Sequence, residues 1–191
     1  MDPSEQLSAI LPAISDLVEQ IDAEDLRHAT PCANFDVRDV LDHMIVLGGS
    51  FTYLFRGEEP PAQSAPAEDG RVPIATFRKV MDDLLDAVRS DGAMERIVRS
   101  PVGEMPGETF ARLVAFDGVV HGWDIARATG LRYELPDALI GEVDSFARGA
   151  LTDDMRDGDT FRSATDAPDS ATQLERLVAF SGRSLRPLAT A

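Results

Sequence analysis

The chain holds one cysteine, Cys32, in 191 residues. That excludes an internal disulfide and fits a reducing compartment. Positive charge is scarce as well: 18 Lys and Arg stand against 34 Asp and Glu, a formal net charge of −16. Such a chain repels phosphate backbones, and its arginines are scattered, so nucleic acid is not an expected partner. No uncharged apolar run reaches membrane-spanning length. The opening "MDPSEQLSAILPA" has no basic stretch ahead of its apolar residues and does not read as a secretory signal. A cytoplasmic protein with no membrane partner is the expectation. Only three histidines exist, His28, His43 and His121, so each can be weighed by itself.

The remaining composition, 43% hydrophobic and 27% charged, suits one globular domain over 1–191. Its apolar residues recur at helical steps of three and four. Leu7, Ile10, Leu11, Ile14, Leu17, Val18 and Ile21 predict a helix over 4–21, in which Pro12 should give a kink or mark the true first turn. A second helix is expected over 36–55, capped by Asp36 and stopped by Gly57. The Pro-, Ala- and Glu-rich stretch 57–73 reads as a mobile loop. A third helix should cover 74–89. Short β character follows around Ile97 to Val102, and a fourth helix should run over 106–129 to Gly130. The 131–191 segment holds smaller helices, around Leu139 to Leu151 and from about Asp169 to Gly182, expected to pack on the rest. Four long helices in series predict an all-α fold, a four-helix bundle.

The stretch "FDGVVHGWDIARATG" places charge inside that apolar pattern. Asp117 and His121 are four residues apart and point the same way from one helix. Asp124, three residues on, extends the line. On the second helix His43 is in register with Val40, Leu47 and Leu54. Two imidazoles and a carboxylate from facing helices are a common metal-ligand set with open positions. Asp124 would orient a ligand from behind. Spacing alone leaves open the plainer reading, a core histidine satisfied by hydrogen bonds. Arg127, one turn past Trp123, is the candidate contact for a cofactor or substrate carboxylate, against a surface salt bridge. His28 sits in a polar connection and reads as surface. Trp123 reads as a core anchor, and Cys32 as packed and structural.

Three segments, in order, resemble a known family. "TPCANFDVRDVLDHM" is similar to the TPC-x-x-W-x-V-R-D-L-x-x-H signature of the DinB/YfiT-like superfamily of actinobacterial type, with Phe35 in place of the tryptophan. "VGEMPG" follows at 102–107, and "VVHGWDIARATG" resembles that group's HGWDLARATG. A weaker likeness covers most of the chain, including "LVAFSGR" near the end. The resemblance implies an up-down-down-up bundle with a divalent metal near one end, zinc ahead of nickel or iron. It implies His43, Asp117 and His121 as the ligands, Asp117 standing where many members have histidine. The group is named for its likeness to mycothiol-dependent maleylpyruvate isomerase, and related members are S-transferases that use mycothiol or bacillithiol.

The expected function is therefore a metal-dependent enzyme of thiol chemistry, an isomerase or S-transferase using a mycothiol-type thiol on a small electrophile. Two alternatives remain open at this level. One is a non-catalytic metal-binding protein in stress response. The other is a metal-independent lyase or cyclase that uses the bundle pocket. A homodimer is left open too.

Overall fold

The computed structural model describes residues 1–62, 64–67, 69–100, 102–152, 156 and 162–188. Among these lie six α-helices and one small hairpin: α1 Pro3–Val18, α2 Val37–Arg56, α3 Ile74–Val88, β1 Ile97–Ser100, β2 Gly103–Pro106, α4 Gly107–Thr129, α5 Asp137–Ala150 and α6 Gln173–Phe180. The strands pair antiparallel, Ile97 opposite Pro106 and Ser100 opposite Gly103. No described helix is long and apolar enough to cross a membrane.

Local chemistry sets the helix ends. Asp2 and Asp36 each cap a helix by a reciprocal capping box, with Glu5 and Asp39 closing back on the cap backbone. Gly57 and Gly130 stop α2 and α4 in the left-handed conformation, at φ 75° and 73°. The capping box at Asp2 puts Pro3, not Pro12, in the first turn of α1. The helix then runs through Pro12, whose ring sits on the exposed face. There the missing N–H costs least, because water can serve the freed carbonyl. The same helix stops at Val18, short of 21. Ile21 remains buried, so the apolar rhythm outlasts the helix by one turn.

α1 packs on α3 and α4, and α2 packs on the same two, closing a four-helix bundle. Leu7, Ile10, Ile14, Leu41, Phe55, Phe77, Phe110 and Phe116 are almost fully buried between them. Burial of this kind stabilises by roughly 1.5–3 kcal/mol per large side chain before entropy is counted. At Gly48 a Cβ would lie 2.9 Å from Val80 Cγ1, so glycine lets α2 and α3 close up. α5 packs against α4, and α6 against both, bringing the chain after α6 back to the bundle. Between α2 and α3, the carbonyls of Pro66, Ala67 and Arg71 accept from the Arg38 guanidinium, which also pairs with Asp42 at 2.8 Å.

Candidate metal centre

α4 is buried on nearly every side, and its inward face carries His121 and Asp124. Four-residue spacing puts Asp117 beside His121: Nε2 of the ring lies 3.4 Å from Asp117 Oδ1. From α2, His43 meets the same ring edge-on, with centroids 5.0 Å apart. One ligand atom from each of His43, Asp117 and His121 lies within 4.8 Å of the others. The three residues expected to act together are therefore brought together.

The other nitrogen of His121 has a different environment. Nδ1 lies 3.1 Å from Asp124 Oδ2. Asp124 is fully buried and is held in turn by Arg183, whose Nη2 donates to Oδ2 at 3.0 Å and whose Nε donates to both oxygens at 3.3 Å. A neutral His121 with its proton on Nδ1 satisfies Asp124 and leaves Nε2 free as a ligand. Arg183 was not among the expected site residues. A signal for it existed, since it is the last letter of the "LVAFSGR" segment.

The electrostatics follow from burial and pairing. Burial opposes charge on His121, but Asp117 and Asp124 outweigh it and raise its pKa from 6.5 to about 9. Asp117 is pushed up by desolvation and down more strongly by His121, which leaves it at about 2. Its side chain keeps 36% of its surface, so water damps the desolvation part. His43 moves the other way: burial lowers its pKa, and Asp117 only partly restores it. The centre thus offers one imidazole already neutral and one whose proton a cation would replace.

Cys32, His121 and Asp124 form a second group of possible ligand atoms within 4.8 Å. It is the weaker set. Asp124 is already matched by Arg183, and burial pushes the Cys32 thiol up to about 11, so the thiolate a metal needs is disfavoured. Cys32 sits instead in a fixed connection. Thr30 Oγ1 donates to Phe35 O at 2.8 Å, and Phe35 N donates to Cys32 O at 3.0 Å. A cavity of about 270 Å³ adjoins the centre, with Cys32, His43, Asp117, His121 and Arg183 in its wall. Arg127 is not part of that wall. It is exposed, and its Nη2 donates to Leu185 O at 3.4 Å. His28 is half exposed beside Asp25, and Trp123 is buried.

The mycothiol maleylpyruvate isomerase N-terminal domain model matches residues 7–126, more than half of the chain. Two uncharacterized proteins of Mycobacterium tuberculosis, from different strains, are each 28% identical over 187 residues, covering 97% of this chain and all of theirs. The crystal structure of the mycothiol-dependent maleylpyruvate isomerase superposes with a TM-score of 0.56 at 14% identity, over 75% of this chain and 68% of the other. At that identity the likeness establishes the shared helical fold.

Proposed function

The chain belongs to the mycothiol maleylpyruvate isomerase N-terminal domain family, and from that premise we propose a metal-dependent enzyme of thiol chemistry, an isomerase or S-transferase acting on a small electrophile. The observation that carries the reading is the meeting of His43, Asp117 and His121 ligand atoms within 4.8 Å at the wall of a cavity. These two imidazoles and one carboxylate would hold a divalent ion, zinc suiting the set well. Bound there, the ion supplies the positive charge that favours a thiolate over a thiol at neutral pH.

The protein's own groups prepare that chemistry. Asp124 takes the Nδ1 proton of His121 into a hydrogen bond and so fixes the tautomer. Arg183 pairs with Asp124 and holds it in place from the far side. The buried wall limits water around the reacting atoms. Addition of a mycothiol-type sulfur to one carbon of an activated C=C leaves a single bond that can rotate, and loss of the thiolate re-forms the double bond in the other isomer. Addition alone leaves a conjugate.

The Asp117–His121 contact supports a second reading, a metal-independent acid–base pair in the same pocket. One experiment separates the two. Protein prepared without a His-tag is analysed for metal, stripped with a chelator, and assayed with mycothiol and electrophiles before and after zinc is restored. The proposal expects thiol-dependent turnover that chelation abolishes and zinc restores. Turnover that survives complete metal removal would favour the acid–base pair.

A further inference from the structure

We propose that the cavity takes an uncharged electrophile with an apolar body and discriminates against dicarboxylates, an inference that rests on the thiol-dependent reading above. The cavity follows the seam between α2 and α4. At one end His43 faces His121, with ring centroids 5.0 Å apart; at the other Phe51 faces Phe110, at 4.9 Å. His43 and Phe51 are two turns apart on α2, about 12 Å by helical rise. Between and around them the lining is Leu47, Leu113 and Val114, and Val102 from the hairpin is its exposed residue. The polar groups therefore gather at one end, and the rest of the seam is aliphatic and aromatic.

Charge points the same way. With a metal in place of the His121 proton, Arg183 is the one cationic side chain among the described lining residues, and Asp124 already matches its charge. Arg162 acts on Cys32 from outside the lining. Cys32 stays a neutral thiol. Asp117 adds a negative charge. A divalent ion on the triad would leave one net positive charge, which a single thiolate cancels. Nothing remains to offset a second and third negative charge, and an unpaired carboxylate against Leu113 or Phe110 is costly. A neutral apolar body instead gains by leaving water. The volume, about 270 Å³, fits one small molecule.

An α,β-unsaturated ketone with an aryl substituent meets these conditions. In the addition, the S–H bond breaks and sulfur bonds to the β carbon. The C=C electron pair moves to the α carbon, which takes up the proton. Nothing is oxidised or reduced.

The test uses a matched pair, 4-phenylbut-3-en-2-one and its para-carboxylate, with maleylpyruvate as the dianion. The saturated, unreactive counterpart of each (for the pair, 4-phenylbutan-2-one and its para-carboxylate) is titrated calorimetrically into the full chain loaded with zinc and mycothiol, so that the thiolate charge is in place, and the unsaturated compounds are then assayed for turnover. The neutral ketone is expected to bind at least 10-fold tighter than its carboxylate, and the dianion more weakly still. Val102→Lys, at an exposed position, should narrow the ratio several-fold without loss of folding. Equal or tighter binding of either anion, no binding of the ketone, or a ratio unmoved by Val102→Lys overturns the proposal. If the preference holds but no thiol-dependent turnover is seen, the reading under Proposed function falls and the selectivity of the cavity stands.

Discussion

The two sides of the His121 ring are built from similar parts and do different work. On one side Nε2 meets Asp117, partly exposed, with His43 and the cavity beyond. On the other Nδ1 meets Asp124, fully buried and held by Arg183. A carboxylate backed by a guanidinium is neutralised and fixed, so it orients its neighbour. A carboxylate that faces a cavity and pairs only with a titratable imidazole can exchange that proton's charge for a metal's. The identity of a side chain does not assign its role here; what stands behind it does.

The largest expected effect comes from breaking the cavity side. His43→Ala, Asp117→Ala and His121→Ala should each weaken zinc binding by well over the roughly 100-fold that marks losses in outer-shell contacts. Competition titration against a chromophoric chelator measures this. Wild-type affinity in His43→Ala would sink the assignment.

Breaking the closed side should act first on stability. Asp124→Ala strands the Arg183 charge in the interior, and removing one partner of a buried pair typically costs about 3–5 kcal/mol. Zinc affinity should fall by about 10–100-fold in the same variant. Urea denaturation of the metal-free form gives the first number. Should Asp124→Ala unfold as late as wild type, the clamp has no energetic weight.

pH sharpens the comparison without mutation. His121 is raised from 6.5 to about 9 in the folded state, so its contribution is present below 6.5 and fades as pH rises through 9. His43 is lowered, so below 6.5 the unfolded chain takes up a proton that the folded chain resists, and stability falls toward acid. Asp117, lowered to about 2, contributes above 3.8 and loses that contribution as pH falls through 2. The metal-free protein should therefore be most stable near pH 6.5. Zinc bound at the proposed site would replace the His121 proton, so excess zinc should flatten the alkaline decline, and metal affinity should weaken as pH falls. Thermal melts from pH 5 to 9.5, with and without zinc, check both. An alkaline decline equally steep in zinc would count against the exchange of proton for metal.

The smallest effects should come from residues outside both sides. His28→Ala and Arg127→Ala, both on the surface, should change stability by no more than about 0.5 kcal/mol and leave zinc affinity unmoved. Cys32→Ser should keep the metal content of wild type, since the thiol is held neutral. Loss of zinc in Cys32→Ser would bring the second ligand group forward.

Much of this molecule is written locally. Apolar residues at steps of three and four, Asp36 as a cap and Gly57 and Gly130 as stops mark α2 and α4, because these are interactions within a turn or two of chain. His43 could be placed on an inward face, and Asp117 with His121 on another, by the same arithmetic. Local rhythm outlasts its element at Ile21, and Pro12 lies inside a helix that the Asp2 capping box already starts at Pro3. The identity of the partner that backs Asp124 was another matter. Arg183 lies 59 residues further along the chain, with no periodicity to connect the two. Nor does spacing reveal that Asp124 is closed off while Asp117 opens on a cavity, or that Phe51 and Phe110 line its far end. The sequence by itself determined the helices and the face on which each ligand candidate stands, because backbone geometry and nearest-neighbour chemistry suffice for that. Only the tertiary structure decided which of two aspartates is held by a fixed guanidinium and which faces a cavity with a titratable imidazole, because packing of α6 and the chain beyond it against α4 brings Arg183 to one carboxylate and not to the other.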